Sequence, residues 1–356
     1  MIRQIARWDR LAPLAGLGLL AIGLAFPVPA AISALFLMFI VGAAVHHAEH
    51  IALYVGEPFG TLILAVAVTV IEVGLILSIM LAGGAEATTL ARDTVFAAVM
   101  IILNGLLGAC LLVGGFSHRE QRFQQAGVSA TLAGISALTV LSLILPNYTT
   151  SAPGPVYAPL QMAFVGVVSF IIYGTFVMVQ TIRHRDYFLV GGTDVEAGDP
   201  TMRPSGGSAL LSLLFLLIAL FAVVALAKGI APAIEGTVAR AGWPHAVVGV
   251  VIAAIVLLPE GIAAIRAALA NRLQTSLNLT LGSAMATIGL TIPAVAVIAI
   301  VLELPVALGL SAKSTVLLSL TLLVASLSLG TGRTTVFQGV LHLVIFAVFL
   351  FMTIIP

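Results

Sequence analysis

The sequence has little charge, a single cysteine and few polar stretches. Asp, Glu, Lys and Arg make up only 8% of its 356 residues, while 61% of the residues are hydrophobic and the mean hydropathy is +1.20. Because a water-soluble domain of this length needs far more polar surface, the composition indicates a polytopic membrane protein. The lone Cys110 excludes a disulfide framework and a thiolate metal site. The net charge of +1 gives no indication of a nucleic-acid partner.

The motifs of common enzyme classes are also missing. No glycine-rich phosphate-binding loop precedes a lysine, and the sequence contains no HExxH motif. The longest loop is far too short for the cytoplasmic domain of an ATP-driven pump. We therefore expect no enzymatic activity, no ATP-driven pump and no cofactor, and the sequence gives no indication of the oligomeric state.

Long apolar runs occupy most of the chain. A transmembrane helix needs about 20 apolar residues, and we predict eleven spans, at residues 11–26, 29–46, 60–82, 94–115, 128–146, 159–181, 207–228, 245–268, 276–300, 312–329 and 335–355. The first run follows three arginines and could be a signal peptide, but we expect an uncleaved helix because another span follows at once. The predicted fold is an all-α polytopic membrane protein with about eleven transmembrane helices.

The chain divides into two similar halves. We predict an extra transmembrane helix at residues 1–27, a first five-helix repeat at 28–182, a charged cytoplasmic linker at 183–206 and a second repeat at 207–356. Because each repeat has an odd number of spans, the second copy enters the membrane upside down. This inverted-repeat plan occurs in many secondary transporters, whose binding site lies near the midplane where the repeats meet.

The positions of Lys and Arg in the loops predict the orientation. With the N-terminus in the cytoplasm, eleven of these residues lie on the cytoplasmic side and four on the far side, namely Arg92, Lys228, Arg240 and Lys313. We therefore expect an integral protein of the bacterial inner membrane with a cytoplasmic N-terminus and a periplasmic C-terminus. Membrane lipid and the transported cations are its expected partners.

One acidic residue lies deep within a span of each half, Glu72 in the third span and Glu260 in the eighth. A carboxylate at membrane depth is costly and usually marks an ion or proton pathway. Pro259 has no N–H, so the carbonyl of Ile255 loses its helical partner and could serve a hard cation. Two carboxylates would neutralise one Ca²⁺, or bind protons once the metal leaves. The sequence therefore predicts a metal site at Glu72 and Glu260 where Ca²⁺ and H⁺ compete; glutamates satisfied by neighbouring hydroxyls are the alternative.

Neutral oxygens near these positions are candidates for further ion ligands. Thr69 precedes Glu72 by about one helical turn and so lies on the same face. The predicted ion-binding set is Glu72, Glu260, Thr69, Asn104, Ser283 and Thr287. For the neutral members the alternative is interhelical hydrogen bonding at a tight interface, helped by Gly282 and Gly289.

A second polar cluster contains His46, His47, Glu49 and His50 at the predicted end of the second span, and Glu235 occupies the matching place in the second half. His46 and His50 are four residues apart on one helix face, a spacing that can bind a transition metal. We favour a partly wet, titratable segment, which could sense cytoplasmic pH because the unperturbed pKa of histidine is about 6.5. The predicted gating and proton-relay group is Glu49, Glu235, His46 and His50.

Several motifs resemble those of the calcium/cation antiporter superfamily, most closely its bacterial calcium/proton exchanger branch. In the first half they are AEHIAL at 48–53, GEPFG at 56–60 and the span that bears Glu72. In the second half they are PEG at 259–261, NRLQTSLN at 271–278, GS at 282–283 and IGLTIP at 288–293. The resemblance covers nearly the whole chain and implies ten core helices plus one.

The resemblance also implies an antiporter that exchanges cytoplasmic Ca²⁺ for H⁺ by alternating access. It implies Ca²⁺ held between Glu72 and Glu260 with help from Asn104, Ser283 and backbone carbonyls. A sliding pair of helices, which start near Glu49 and Glu235, would switch access.

The sequence departs from the family pattern at the centre of both halves. Many members carry Gly-Asn before the central Pro-Glu, whereas this chain has VTVIE at 68–72 and VLLPE at 256–260. Fewer oxygens could weaken Ca²⁺ binding or favour Na⁺ or K⁺, so a Na⁺(K⁺)/H⁺ antiporter on the same fold is the alternative. A passive cation channel or a membrane sensor is a third hypothesis, which the two matched halves argue against.

Overall fold

The computed structural model describes residues 8–26, 28–56, 59–82, 88–189, 204–304 and 306–356. Its elements are nearly all helical. This agrees with the long apolar runs, because within a bilayer only a helix or a closed barrel satisfies the hydrogen bonds of its backbone N–H and C=O groups. The helices are α1 (Trp8–Ala25), α2 (Ala30–Val55), α3 (Phe59–Ala82), α4 (Leu90–Met100), α5 (Leu107–His118), α6 (Gln125–Thr139), α7 (Pro159–Met178), α8 (Gly206–Arg240), α9 (Ala246–Leu269), α10 (Leu273–Val301), α11 (Ala312–Leu329) and α12 (Val336–Ile354).

Three helices continue into π-helical turns. The π segment Ile101–Leu106 joins α4 and α5 into one rod, Val140–Ile144 extends α6, and Val179–Arg183 extends α7. The described chain thus forms eleven continuous rods, nine of which are long and apolar enough to cross a membrane. Two short strands, β1 (Gln121–Arg122) and β2 (Arg333–Thr334), pair in antiparallel fashion. The predicted all-α polytopic fold is confirmed.

Several helices extend beyond their predicted spans, two of them by about nine residues or more. The second span was expected to end at residue 46, but α2 continues to Val55 and carries the histidine cluster inside the helix. The seventh span was expected to end at residue 228, but α8 continues through Pro232 to Arg240. Polar residues end an apolar run but do not interrupt the helical backbone hydrogen bonds, so α2 continues past residue 46. A single proline removes only one N–H donor from a helix, so α8 continues past Pro232. The ninth helix begins at Leu273, three residues before its predicted start.

The helices form two compact units, and the first contains α1, α2, α3 and α8, within Met1–Ala87 and Asp194–Gly242. In this unit α2 packs against α1, α3 and α8, and α8 also contacts α1 and α3. Gly74 brings α3 close to α8, because a Cβ atom at this position would lie 2.5 Å from Cγ2 of Val224. Ser78 donates to the carbonyl of Gly74, 2.6 Å away, and faces the same helix.

The second unit contains the other helices and both strands, within Thr88–Thr193 and Trp243–Pro356. Its central helix is α10, which packs against α6, α7 and α9 and is buried along most of its length. The backbones of α9 and α4 lie close together in this unit. A Cβ atom at Gly249 on α9 would lie 2.9 Å from backbone atoms of Asp93 and Thr94 on α4. The pattern is typical of membrane helices, whose interfaces use small residues to bring backbones together.

The start of the predicted linker folds against the second unit. The helix of the sixth span runs to Arg183, a 3₁₀ turn follows at Arg185–Tyr187, and Phe188 is buried. The carbonyl of Phe188 accepts a hydrogen bond from Nδ2 of Asn278 at 2.6 Å. Residues 190–203 lie outside the described residues, so the remainder of the linker stays a prediction.

Candidate functional site

Glu260 and Ser283, two predicted site residues, are hydrogen-bonded to each other. Glu260 lies on α9, one residue after Pro259, and is half-buried. Ser283 lies on α10, which packs beside α9, and its hydroxyl donates to Oε2 of Glu260. Thr287 follows Ser283 by about one helical turn on the same face and is buried. The structure therefore places one predicted carboxylate and two predicted neutral oxygens along the contact between neighbouring helices.

The bond between Ser283 and Glu260 lowers the cost of a buried charge at this position. Insertion scales give a cost of about 2.5–3.5 kcal/mol for an acidic side chain at the centre of a membrane helix. A hydrogen bond to a charged group contributes about 1.5–3 kcal/mol. The hydroxyl of Ser283 thus offsets part of the cost of an ionised Glu260.

Asn104 is fully buried and lies in the π segment Ile101–Leu106, where it joins two other helices. Its Nδ2 donates to Oγ1 of Thr321 at 2.9 Å, and its Oδ1 accepts from Nδ1 of His342 at 3.2 Å. Both ends of the amide are therefore engaged by side chains of α11 and α12. We call Asn104, Thr321 and His342 the buried polar cluster; its last two members were not predicted.

Glu72 and Thr69 lie on α3 in the first unit. Glu72 is only 3% exposed, and Thr69, one turn earlier, is also buried. The hydroxyl of Thr69 donates to the carbonyl of Ala65 at 2.8 Å, an interaction within the helix that often bends it. Glu72 belongs to the first unit and Glu260 to the second. Their meeting around one ion stays a prediction.

The predicted gating group also lies in the first unit. On α2, His46 and Glu49 are exposed, and His50 is half-buried with Nε2 at 2.7 Å from Oγ of Ser208 on α8. Glu235 lies near the end of α8 and is half-buried. His50 thus connects α2, which carries Glu49, to α8, which carries Glu235.

The third histidine of this cluster, His47, was not among the predicted gating residues, and it is buried. His47 is 2% exposed, and its Nε2 lies 3.1 Å from the backbone carbonyl of Asp9 on α1. The ring stacks on Phe215 of α8, with 5.4 Å between the ring centroids. Within the described residues, no group of three or more His, Cys, Asp or Glu side chains is arranged to hold a metal ion.

These features describe a polytopic membrane protein with a carboxylate–hydroxyl pair inside its helices, an arrangement expected of a secondary ion exchanger. Residues 26–182 and 211–355 match the family described as sodium/calcium exchanger protein, and the chain belongs to that family. It is a secondary cation antiporter, a transporter rather than an enzyme.

The chain is similar over most of its length to proteins named as ion transporters. It is 48% identical to the y4hA protein of Sinorhizobium fredii, whose name refers to ionic transport, over 99% of this chain and 97% of that one. It is 36% identical to the sodium-potassium/proton antiporter ChaA of Escherichia coli, over 91% of this chain and 89% of that one. The solved structure of native YfkE has the same fold, with a TM-score of 0.75 at 15% identity over 98% of this chain and 100% of that one.

Proposed function

We propose that this chain exchanges cations for protons by alternating access, with Glu72 and Glu260 holding either the cation or protons. The observation that carries the proposal is the bond between Ser283 and Glu260, which stabilises a carboxylate inside the helices. Because that bond offsets part of the cost of burying the charge, the carboxylate can hold a cation in its ionised form or a proton in its neutral form. Thr69 and Thr287 would add neutral oxygens, and Ser283 would act as ligand and hydrogen-bond donor.

We propose Na⁺ and K⁺ as the exchanged cations. The 36% identical relative is named as a sodium-potassium/proton antiporter. The amides that precede the central Pro-Glu in many relatives are absent here, and the amide of Asn104 is engaged by Thr321 and His342. These features reduce the supply of oxygens, whereas Ca²⁺ takes six to eight oxygen ligands. A monovalent ion with fewer ligands fits this site better.

Ca²⁺/H⁺ exchange is the second candidate. Two carboxylates, Glu72 and Glu260, carry the charge that neutralises one divalent ion. This balance would compensate for some missing neutral ligands, because charge–charge attraction is strong at low dielectric. The first experiment must therefore establish which cation is exchanged.

We assign access control to the first unit. Glu49 and His46 on α2, with Glu235 on α8, would pass protons between the site and the aqueous phases, and His50 would couple α2 to α8 through Ser208. Replacement of these residues should alter proton access more than cation affinity. We further propose the inner membrane as the location, with the N-terminus in the cytoplasm.

The test uses everted vesicles with a preformed acidic interior, whose pH gradient is followed by a fluorescent weak base. Addition of Na⁺ or K⁺ should collapse the gradient at lower concentrations than Ca²⁺ does. Glu72→Gln and Glu260→Gln should abolish the response, because neither amide can take up and release a proton. Glu303→Gln, which changes an exposed carboxylate beyond the end of α10, is the matched control.

Three outcomes would change the proposal. A gradient that only Ca²⁺ collapses would establish the second candidate instead. Normal exchange by either membrane-embedded Gln variant would refute the roles of Glu72 and Glu260. Cation conductance that ignores the opposing proton gradient would indicate a channel.

A further inference from the structure

The two short strands, β1 and β2, form a ribbon in the second unit that has one buried and one exposed side. Gln121 of β1 pairs with Thr334 of β2, and both residues are buried. Nε2 of Gln121 donates to the carbonyl of Ala268 at 3.1 Å and to Oδ1 of Asn271 at 2.9 Å. These hydrogen bonds fix the ribbon to the C-terminal end of α9.

The exposed side of the ribbon carries two arginines in opposite positions. Arg122 and Arg333 pair directly in the register, and their side chains are 83% and 62% exposed. Like charges that lie directly opposite each other on two strands are destabilising. Glu120 lies between them, with its oxygens 3.6 Å from Nε of Arg122 and 3.9 Å from Nη1 of Arg333. Both distances exceed the roughly 2.7–2.9 Å of a charge-assisted hydrogen bond, so one carboxylate neutralises the two guanidinium groups only in part.

Exposed aromatic rings flank the ribbon. A Cβ atom at Gly115 would lie 2.8 Å from the backbone nitrogen of Val336, so the end of α5 and the start of α12 are in close contact. The next residues in sequence are Phe116 and Phe337, which are 73% and 69% exposed. Exposed phenylalanines at the ends of membrane helices suit the boundary between acyl chains and headgroups. The ribbon therefore presents arginines beside apolar rings.

Charge is distributed unevenly between the two ends of the second unit. Hydrogen bonds join the ribbon to the end of α9, to the start of α10 and through Asn278 to the carbonyl of Phe188. The described segments 116–126, 183–188, 265–278 and 326–338 at this end contain seven arginines and two carboxylates, namely Arg119, Arg122, Arg183, Arg185, Arg266, Arg272 and Arg333, with Glu120 and Asp186. The described residues around the other end of α10 carry two charges of each sign, at Arg92, Lys313, Asp93 and Glu303. The ribbon thus lies at the strongly positive end.

We propose that the ribbon patch, which comprises Phe116, Arg122, Arg333 and Phe337, binds the phosphate group of an anionic phospholipid such as phosphatidylglycerol. Guanidinium groups present planar N–H donors that match the geometry of a phosphate, and the two rings contact the acyl chains of the same leaflet. The bound phosphate supplies the negative charge that Glu120 alone does not provide. With the orientation predicted above, this lipid lies in the cytoplasmic leaflet, whose anionic lipids attract basic segments.

The test measures lipid binding by the detergent-purified protein. Phosphatidylglycerol or zwitterionic phosphatidylcholine is titrated into the protein, and the lipid-bound fraction is measured by native mass spectrometry. We expect saturable binding of phosphatidylglycerol, and a higher melting temperature with this lipid than with phosphatidylcholine or inorganic phosphate. The double variant Arg122→Gln/Arg333→Gln should bind phosphatidylglycerol about 30-fold more weakly, because each basic residue at an anionic surface contributes about fivefold in affinity.

Two further variants separate the patch from the total charge. Glu120→Gln removes the carboxylate that competes with the phosphate, so it should strengthen phosphatidylglycerol binding. The control is Arg240→Gln combined with Lys313→Gln, which removes the same charge from positions predicted on the opposite side of the membrane. This control should bind phosphatidylglycerol like the parent.

Three results would overturn the inference. The first is equal phosphatidylglycerol affinity in the parent and in the Arg122→Gln/Arg333→Gln variant. The second is an equal loss in the Arg240→Gln/Lys313→Gln control, because total charge would then suffice. The third is displacement of the lipid by inorganic phosphate at a similar concentration, which would indicate a general anion site. Lipid binding is measured without transport, so the antiport proposal stands or falls separately.

Discussion

At the scale of single residues, the bond between Ser283 and Glu260 makes a direct prediction. Ser283→Ala removes a donor whose bond to a charged acceptor is worth about 1.5–3 kcal/mol, which corresponds to roughly a tenfold change or more in affinity. We expect the apparent KM for the exchanged cation to rise by about this factor, with a smaller change in maximal rate. The measurement is the cation concentration dependence of gradient collapse in everted vesicles.

The matched control retains the hydroxyl. Ser283→Thr keeps the donor with one added methyl group, and the half-buried position leaves space for it. We expect a KM close to that of the parent. An unchanged KM in the alanine variant would show that Ser283 is not part of the cation site.

Residues with an unusual local setting could be predicted from the sequence, and those defined by a distant partner could not. Glu260 and Ser283 were predicted because a carboxylate and hydroxyls interrupt apolar runs, and the structure bonds them. His342 also interrupts an apolar run, and an ionisable residue within such a run is a signal that the sequence alone contains. Thr321 carried no such signal, because its role depends on Asn104, which lies 217 residues away in sequence.

At the scale of helices, apolar run length predicted where helices occur but not where they end. An apolar run predicts the part of a helix that faces lipid or other helices. The helical backbone hydrogen bonds can continue beyond that run into polar sequence. For this reason α2 includes the histidine cluster and α8 includes Glu235, although the apolar runs end before them. The π turn at Asn104 was not predictable from apolar periodicity, since it depends on packing against four other helices.

Two glycines of α10 give a stability test with an internal control. A Cβ atom at Gly289 would lie 2.6 Å from Cβ of Tyr173, so α7 and α10 must separate to accept it. A Cβ atom at Gly282 meets no atom within 4 Å. We expect Gly289→Ala to lower the melting temperature of the detergent-purified protein, because overpacking typically costs about 1–3 kcal/mol.

Gly282→Ala should be neutral or slightly stabilising, because alanine is favoured over glycine within a helix by about 0.5–1 kcal/mol. Both variants are compared with the parent by thermal unfolding followed with size-exclusion chromatography. Equal melting temperatures for Gly289→Ala and Gly282→Ala would mean that α7 and α10 are not in the close contact that the structure shows. Such a result would support looser packing around Ser283 and Thr287.

At the scale of the whole molecule, the number of helices has a consequence for orientation. The eleven rods within the described residues would place Trp8 and Ile354 on opposite sides of the membrane if each rod crosses it once. The first half after α1 contains five rods and the second half another five, which is the odd number that inversion of a repeat requires. The matched family segments, 26–182 and 211–355, lie close to the predicted repeats, and their opposite insertion stays a prediction that labelling can test.

Two engineered thiols test this orientation. Ser117 is exposed at the end of α5, on the predicted cytoplasmic side, and Ser151 is exposed between α6 and α7, on the predicted periplasmic side. The native Cys110 is fully buried beside Ala264 and Ala268, so it should not react and need not be removed. Loops rich in Lys and Arg stay in the cytoplasm, which places Ser117 inside and Ser151 outside. A membrane-impermeant maleimide added to intact cells should therefore label Ser151→Cys. It should label Ser117→Cys only after the membrane is permeabilised. The reverse pattern would invert the assigned orientation, and labelling of both thiols from outside would mean that α6 does not cross the membrane.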